Sequence, residues 1–108
     1  ISKNKEADYL TKKPVQKATS KVVVDNDVSA YYTVIDVYAH DRLGLLYEIT
    51  QTLNRLGCYV EVSKISTKVE QVSDVFYVKD IFGKKIESRE KLKQIKSDLL
   101  SLVEVTEN

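Results

Sequence analysis

Ala39-His40-Asp41-Arg42-Leu43-Gly44-Leu45-Leu46 joins two segments of different period. Before it, Tyr32 to Ala39 alternates. Ile35, Val37 and Ala39 fall on one face of a strand, and Val34, Asp36 and Tyr38 on the other. After it, Leu45, Leu46, Ile49, Leu53 and Leu56 recur at offsets of one, four, eight and eleven, which predicts a helix with one apolar stripe. Burying those five side chains contributes roughly 1.5–3 kcal/mol each before entropy is counted. Asp41 is the expected N-cap of the helix and Gly57 its C-terminal stop. A strand-to-helix turn brings backbone N–H groups to the start of the helix, where an anion can meet them. Gly44, with no Cβ, lets a ligand or a second backbone come close. The turn is therefore a carboxylate-binding element or plain architecture, and its residues alone leave both readings open.

Downstream, Tyr59 to Thr67 reads as a strand whose phase slips. Val60 and Val62 share a face while Ile65 falls on the other, so a bulge is expected. Lys68-Val69-Glu70-Gln71 turns the chain, and Val72 to Lys79 is the next strand, with Phe76 and Val78 on one face and Val75 and Tyr77 on the other. Asp80-Ile81-Phe82-Gly83 is a further turn. A second helix follows Ser88, its expected N-cap, with Leu92, Ile95, Leu99 and Leu102 on one stripe. Val103 to Thr106 is read as a last short strand. Strand, helix, strand, strand, helix, strand defines an α+β fold, the ferredoxin-like βαββαβ sandwich, with an antiparallel sheet and two helices on one face. Such a sheet leaves an open face and exposed edges, so pairing with another copy or domain is expected.

Composition narrows the function classes. The 108 residues suit one domain plus an extension, and 43% hydrophobic with 31% charged residues is ordinary for a globular chain. Residues 1–30 read as a linker or extension holding one candidate strand, Val22-Val23-Val24, which Asp25-Asn26-Asp27 ends. Residues 31–106 read as the domain. Lysines crowd residues 1–21, but Glu6 and Asp8 dilute them. A net charge of +1 gives no reason to expect nucleic acid or an anionic membrane. No stretch approaches the ~20 apolar residues of a membrane span. A single cysteine, Cys58, forms no internal disulfide, which points to a cytoplasmic protein. The absence of methionine, even at position 1, suggests a piece of a longer polypeptide.

Three features bear on catalysis. His40-Asp41 matches the central dipeptide of HD phosphohydrolases, but those need several histidines for their metal and His40 is the only one. Asp25 and Asp27 have the spacing of a two-carboxylate magnesium site, yet no Gly-Ser phosphate-binding turn precedes them, and a turn closed by side-chain-to-backbone bonds accounts for them. Cys58 has no neighbouring histidine or helix N-terminus to lower its pKa and reads as a structural thiol. No catalytic residue, metal site or cofactor is expected.

Taken together, Asp41-Arg42-Leu43-Gly44-Leu45-Leu46, Leu56-Gly57, Asp74-Val75-Phe76-Tyr77-Val78-Lys79-Asp80 and Gly83-Lys84-Lys85-Ile86 resemble the ACT domain, a ligand-sensing module attached to enzymes of amino-acid metabolism. With Val24-Asp25-Asn26 upstream, they are most similar to the C-terminal ACT domain of bacterial PII uridylyltransferase/uridylyl-removing enzymes. The resemblance implies a non-catalytic regulatory module for nitrogen metabolism that senses an amino acid, glutamine above others. It also implies another ACT domain as homodimer or tandem partner, and catalytic domains elsewhere in a parent chain. Its ligand-binding residues would be Asp41, Arg42, Leu43, Gly44, Leu45, Leu46 and Tyr59. The amides of Gly44, Leu45 and Leu46 would take the ligand carboxylate. Asp41 would take its amino group, unless it caps the helix. Leu43 stands where the family usually has proline, and Tyr59 where many members have Asn or Asp. A purely structural pairing module of the same fold is the alternative.

Overall fold

The structure, a computed structural model, describes residues 20–68 and 70–104. Six elements follow in order: β1 (Lys21–Asp25), β2 (Thr33–His40), α1 (Leu45–Arg55), β3 (Tyr59–Lys68), β4 (Gln71–Lys79) and α2 (Arg89–Glu104). The strands form one antiparallel sheet in the order β1-β2-β4-β3. Ile35, Val37, Ala39, Val72, Phe76 and Val78 on one face join Leu45, Ile49 and Leu53 of α1 and Ile95, Leu99 and Val103 of α2 in a single core. Both helices thus cover the same face, the ferredoxin-like arrangement.

The strand that completes this sheet comes from an unexpected side. Lys21–Asp25 pairs with β2, Val22 lying opposite Val37 and Val24 opposite Ile35, and Val22 is buried under α2. The sheet therefore takes in residues 21–25, upstream of the expected start at residue 31. Val103 and Glu104, read from sequence as the beginning of a strand, are the last turn of α2, with Val103 wholly buried. β-Branching favours a strand only weakly, and the core contact of Val103 on the Ile95–Leu99 stripe decides for the helix. Val105 and Thr106 lie outside the described residues.

The helix boundaries are set by their caps. After α1, Gly57 at φ 80° donates to the Asn54 carbonyl, and the Cys58 amide reaches the Leu53 carbonyl. This reciprocal pair is a Schellman motif, closed by the buried Leu53 and Cys58 side chains. Burial pushes the Cys58 thiol up to about 11, so it is no nucleophile at neutral pH. For α2, the Ser88 hydroxyl accepts from the Lys91 amide at 3.2 Å, the expected cap. Leu46 leaves the predicted stripe: it is 43% exposed, while Leu45, Ile49 and Leu53 carry the contact with the sheet.

A bulge breaks the register of β3 between Val60 and Val62, where the sequence phase slips. Its effect on the faces is the reverse of the simple reading. Val60 and Ile65 oppose Val78 and Asp74 on the helix side, whereas Val62 opposes Tyr77 on the open side. That open side carries lysines stacked on tyrosines: Lys21 on Tyr38, Lys64 on Tyr77 and Lys79 on Tyr32, at 5.7, 5.4 and 4.8 Å from the ring centres. Among the described residues no helix is long and apolar enough to cross a membrane.

A hydrogen-bonded knot ties the β1–β2 connection to the segment before α2. The Thr33 hydroxyl donates to Asn26 Oδ1 (2.6 Å) and accepts from the Ile86 amide (2.9 Å). Asn26 Nδ2 in turn donates to the Ile86 carbonyl at 2.7 Å, and Lys85 Nζ to the Asn26 carbonyl at 2.7 Å. Asp25 meanwhile accepts from the Asp27 amide, an Asx-type turn.

Candidate functional site

Between β2 and α1 the chain makes one tight turn. The Leu45 amide donates to the Arg42 carbonyl at 3.1 Å, and Gly44 in third position holds φ 81°, ψ 0°. These are the marks of a type II turn, in which the third residue needs positive φ. Gly44 rather than Asp41 is the N-cap of α1, and no side chain caps it. The correction has a geometric cause. The turn consumes three residues after Asp41, so its carboxylate stands too far from the first helical amides. Asp41 instead donates its amide to the carbonyl of Glu70, at the tip of the β3–β4 hairpin. Glu70 is itself held at φ 57°.

Arg42 is committed to the helix it precedes. Its two terminal nitrogens reach the Glu48 carboxylate at 3.1 and 2.7 Å, a two-pronged ion pair. That hydrogen bonding raises the Arg42 pKa and lowers that of Glu48. Glu48 also opposes the positive end of the helix dipole.

Asp41, Arg42, Leu43, Gly44, Leu45 and Leu46 come together, with Tyr47, around a shallow concavity of about 400 Å3. Of the three amides named from sequence, that of Leu45 is occupied by the turn. The donors the helix ladder leaves over are those of Leu46 and Tyr47. A Cβ on Gly44 would meet no atom within 4 Å, so the space before it is open. Tyr59 is not part of this cluster. It begins β3 opposite Lys79, at the far end of a ten-residue strand whose other end, Lys68, adjoins the turn. That separation is roughly 30 Å.

Sequence reasoning passed over Asp74. It lies on the helix-facing side of β4, opposite Val37 and Ile65, and is only 2% exposed. Burial raises its pKa, a hydrogen bond from the Ser66 backbone offsets part of this, and the charge of Asp41 adds to it. The signal was available in the alternation Val72-Asp74-Phe76-Val78, which points all four side chains one way.

Leu43 occupies the second position of the turn, where proline is favoured, and it is 99% exposed. Its amide is engaged by no described residue. Leu43→Pro is expected to stabilise the fold by about 0.4–1 kcal/mol through the unfolded chain. A higher midpoint of urea unfolding at unchanged slope is the sign to look for.

A sheet of this topology under two helices, with a glycine turn opening the first helix, defines a small α+β module of the ferredoxin-like class. The chain matches the ACR9-like, ACT-like domain family over residues 21–106, and it belongs to that family. It is 42% identical over 96 residues to the bifunctional uridylyltransferase/uridylyl-removing enzyme of Azospirillum brasilense, covering 89% of this chain and 10% of that one. The enzyme of the same name from Rhodospirillum rubrum is 42% identical over 86 residues, covering 80% and 9%. That of Cereibacter sphaeroides is 38% identical over 96 residues, covering 88% and 10%. The chain thus spans about a tenth of the length of these relatives.

Proposed function

We propose that this domain is a non-catalytic sensor of an amino acid, glutamine above others, controlling an attached uridylyltransferase/uridylyl-removing enzyme of nitrogen regulation. The observation that carries the reading is the concavity at the β2–α1 turn, where the amides of Leu46 and Tyr47 are free beside Gly44. Helix-terminal donors suit a carboxylate. Membership of the ACT-like family and the activity for which the relatives are named support the rest. To regulate, the ligand must bind one arrangement of the parent enzyme more tightly than another.

The test is a thermal-shift titration of the 108-residue chain against the common amino acids. Ligand at 100 times its dissociation constant stabilises by about 2.7 kcal/mol, a readily seen shift. A response to glutamine alone is expected, and Gly44→Val is expected to abolish it. A β-branched residue at φ 81° adds roughly 1–2 kcal/mol of strain and places methyl groups in the open space. Silence towards every amino acid favours the second reading, a structural pairing module. The specific observation on its side is β3, an edge strand exposed at every residue but the half-buried Val60, with Val62 and Ile65 43% and 46% accessible. On that reading the chain forms dimers through another ACT domain with no ligand present, as sedimentation would show. Tyr59 would reach a ligand turn only as part of such a neighbouring copy.

A further inference from the structure

Among the described residues that line the concavity at the β2–α1 turn, Arg42 is the one cation and Asp41 the one carboxylate. A guanidinium offers a carboxylate two edges, its paired terminal nitrogens or one of these with Nε. Neither edge of Arg42 is open to a ligand. Both terminal nitrogens are on Glu48, at 3.1 and 2.7 Å, and Nε is buried. Glu48 stands in the first turn of α1, outside the lining, and bears on the concavity only through Arg42. The charges of the pair cancel, which leaves Asp41 as the uncompensated charge around the concavity. Its carboxylate is not spent on the helix, since no side chain caps α1.

An α-amino acid brings one carboxylate and one ammonium, the complements of the free Leu46 and Tyr47 amides and of Asp41. A second carboxylate, on the side chain of the ligand, finds no cation. To receive it Arg42 must release Glu48, which exchanges one ion pair for another and leaves a carboxylate unpaired where Asp41 is already negative. We infer that the Arg42–Glu48 pair sets the ligand class: the site admits amino acids with an uncharged side chain and refuses their acidic isosteres. Glu48 is then a specificity-determining residue that acts through Arg42. The inference rests on the sensing function proposed above and adds what separates glutamine from glutamate, two ligands alike in shape and different in charge. Such refusal comes from a charge left unmet, not from a better contact to the favoured ligand.

The test is titration calorimetry on the 108-residue chain with L-glutamine and L-glutamate. The proteins are wild type, Glu48→Gln, and the double variant Arg42→Gln with Glu48→Gln. Wild type is expected to bind glutamine roughly tenfold or more tightly than glutamate. Glu48→Gln keeps the shape of the side chain, removes its charge and frees the guanidinium. The preference is then expected to narrow by roughly tenfold, through a gain in glutamate affinity. The double variant is expected to lose that gain, which a general loosening of the fold would not reverse. A Glu48→Gln variant that separates the ligands by the wild-type factor overturns the role of the pair and leaves the sensing function standing. So does a glutamate gain that survives the loss of Arg42, or a wild type that binds the two ligands alike. If wild type binds no glutamine, the sensing function falls, and this inference with it.

Discussion

Thr33→Val is expected to lower the melting temperature by about 10–20 °C, equivalent to about 2–4 kcal/mol. The change keeps shape and volume and removes one hydroxyl, which both donates to Asn26 and accepts from Ile86. Thr33 is wholly buried, so water cannot replace either bond. Asn26 Oδ1 loses its donor and the Ile86 amide its acceptor, and each buried unmet group costs about 1–3 kcal/mol. The segment before α2 is then held to the β1–β2 connection only by the Asn26–Ile86 and Lys85–Asn26 bonds. Thr33→Ser, which keeps the oxygen, is expected to cost about 1 kcal/mol. Thermal unfolding of the two variants side by side separates the hydrogen-bond contribution from that of the methyl group. A Thr33→Val variant as stable as wild type would mean that the knot adds no net stability.

The opposite sign is expected for Asp74→Asn, a gain of about 1–3 kcal/mol at pH 7. The wild-type carboxyl ionises less readily in the folded chain than in the unfolded one, mainly because it is buried. Between its ordinary pKa of 3.8 and the raised folded value, the folded state holds more protons. Stability therefore falls as pH rises through that window, and the penalty is complete above it. Asparagine has no proton to lose and still accepts from the Ser66 amide, so the variant lacks this fall. Urea unfolding should show the gap between variant and wild type widest at pH 7 and closing towards pH 4. A gap independent of pH, or a variant weaker at pH 7, would show that the charge of Asp74 is balanced in solution.

Local patterns were the legible part of this chain. Alternation assigned both faces of β2 and β4 correctly, and the 3.6-residue stripe located both helices. Ser88 and Gly57 announced their caps because capping depends on a few adjacent residues. What failed depended on distant ones. The i, i+4 spacing Ile95-Leu99-Val103 continues the stripe of α2, but β-branching at Val103 and Val105 argued for a strand, and the core contacts of Val103 decide for the helix. Val22-Val23-Val24 was readable as a strand, but its place beside β2 follows from pairing alone. The Asn26–Thr33–Ile86 knot joins residues up to 60 apart, so spacing carries no trace of it. At the candidate site, the sequence brought Asp41 to Leu46 together but misjudged the cap by three residues, because a type II turn and a side-chain cap both precede a helix. Tyr59 entered through family resemblance, as a residue that closes the site from a neighbouring copy, and its distance from the turn within one chain fits that role alone.

The entry of β1 from the upstream side gives the domain a mechanical asymmetry. Lys21 faces Tyr38, just short of the β2–α1 turn, while Asp25 faces Val34 at the far end. A pull through the residues before Lys21 loads the ladder at its Lys21 end and opens its bonds one after another, like a zipper, rather than shearing them together. Val22 would leave the core first and Val24 after it, uncovering α2 from below. Because the first teeth of that zipper lie beside the β2–α1 turn, tension on the residues before Lys21 is felt at the turn before it reaches the far end of the sheet.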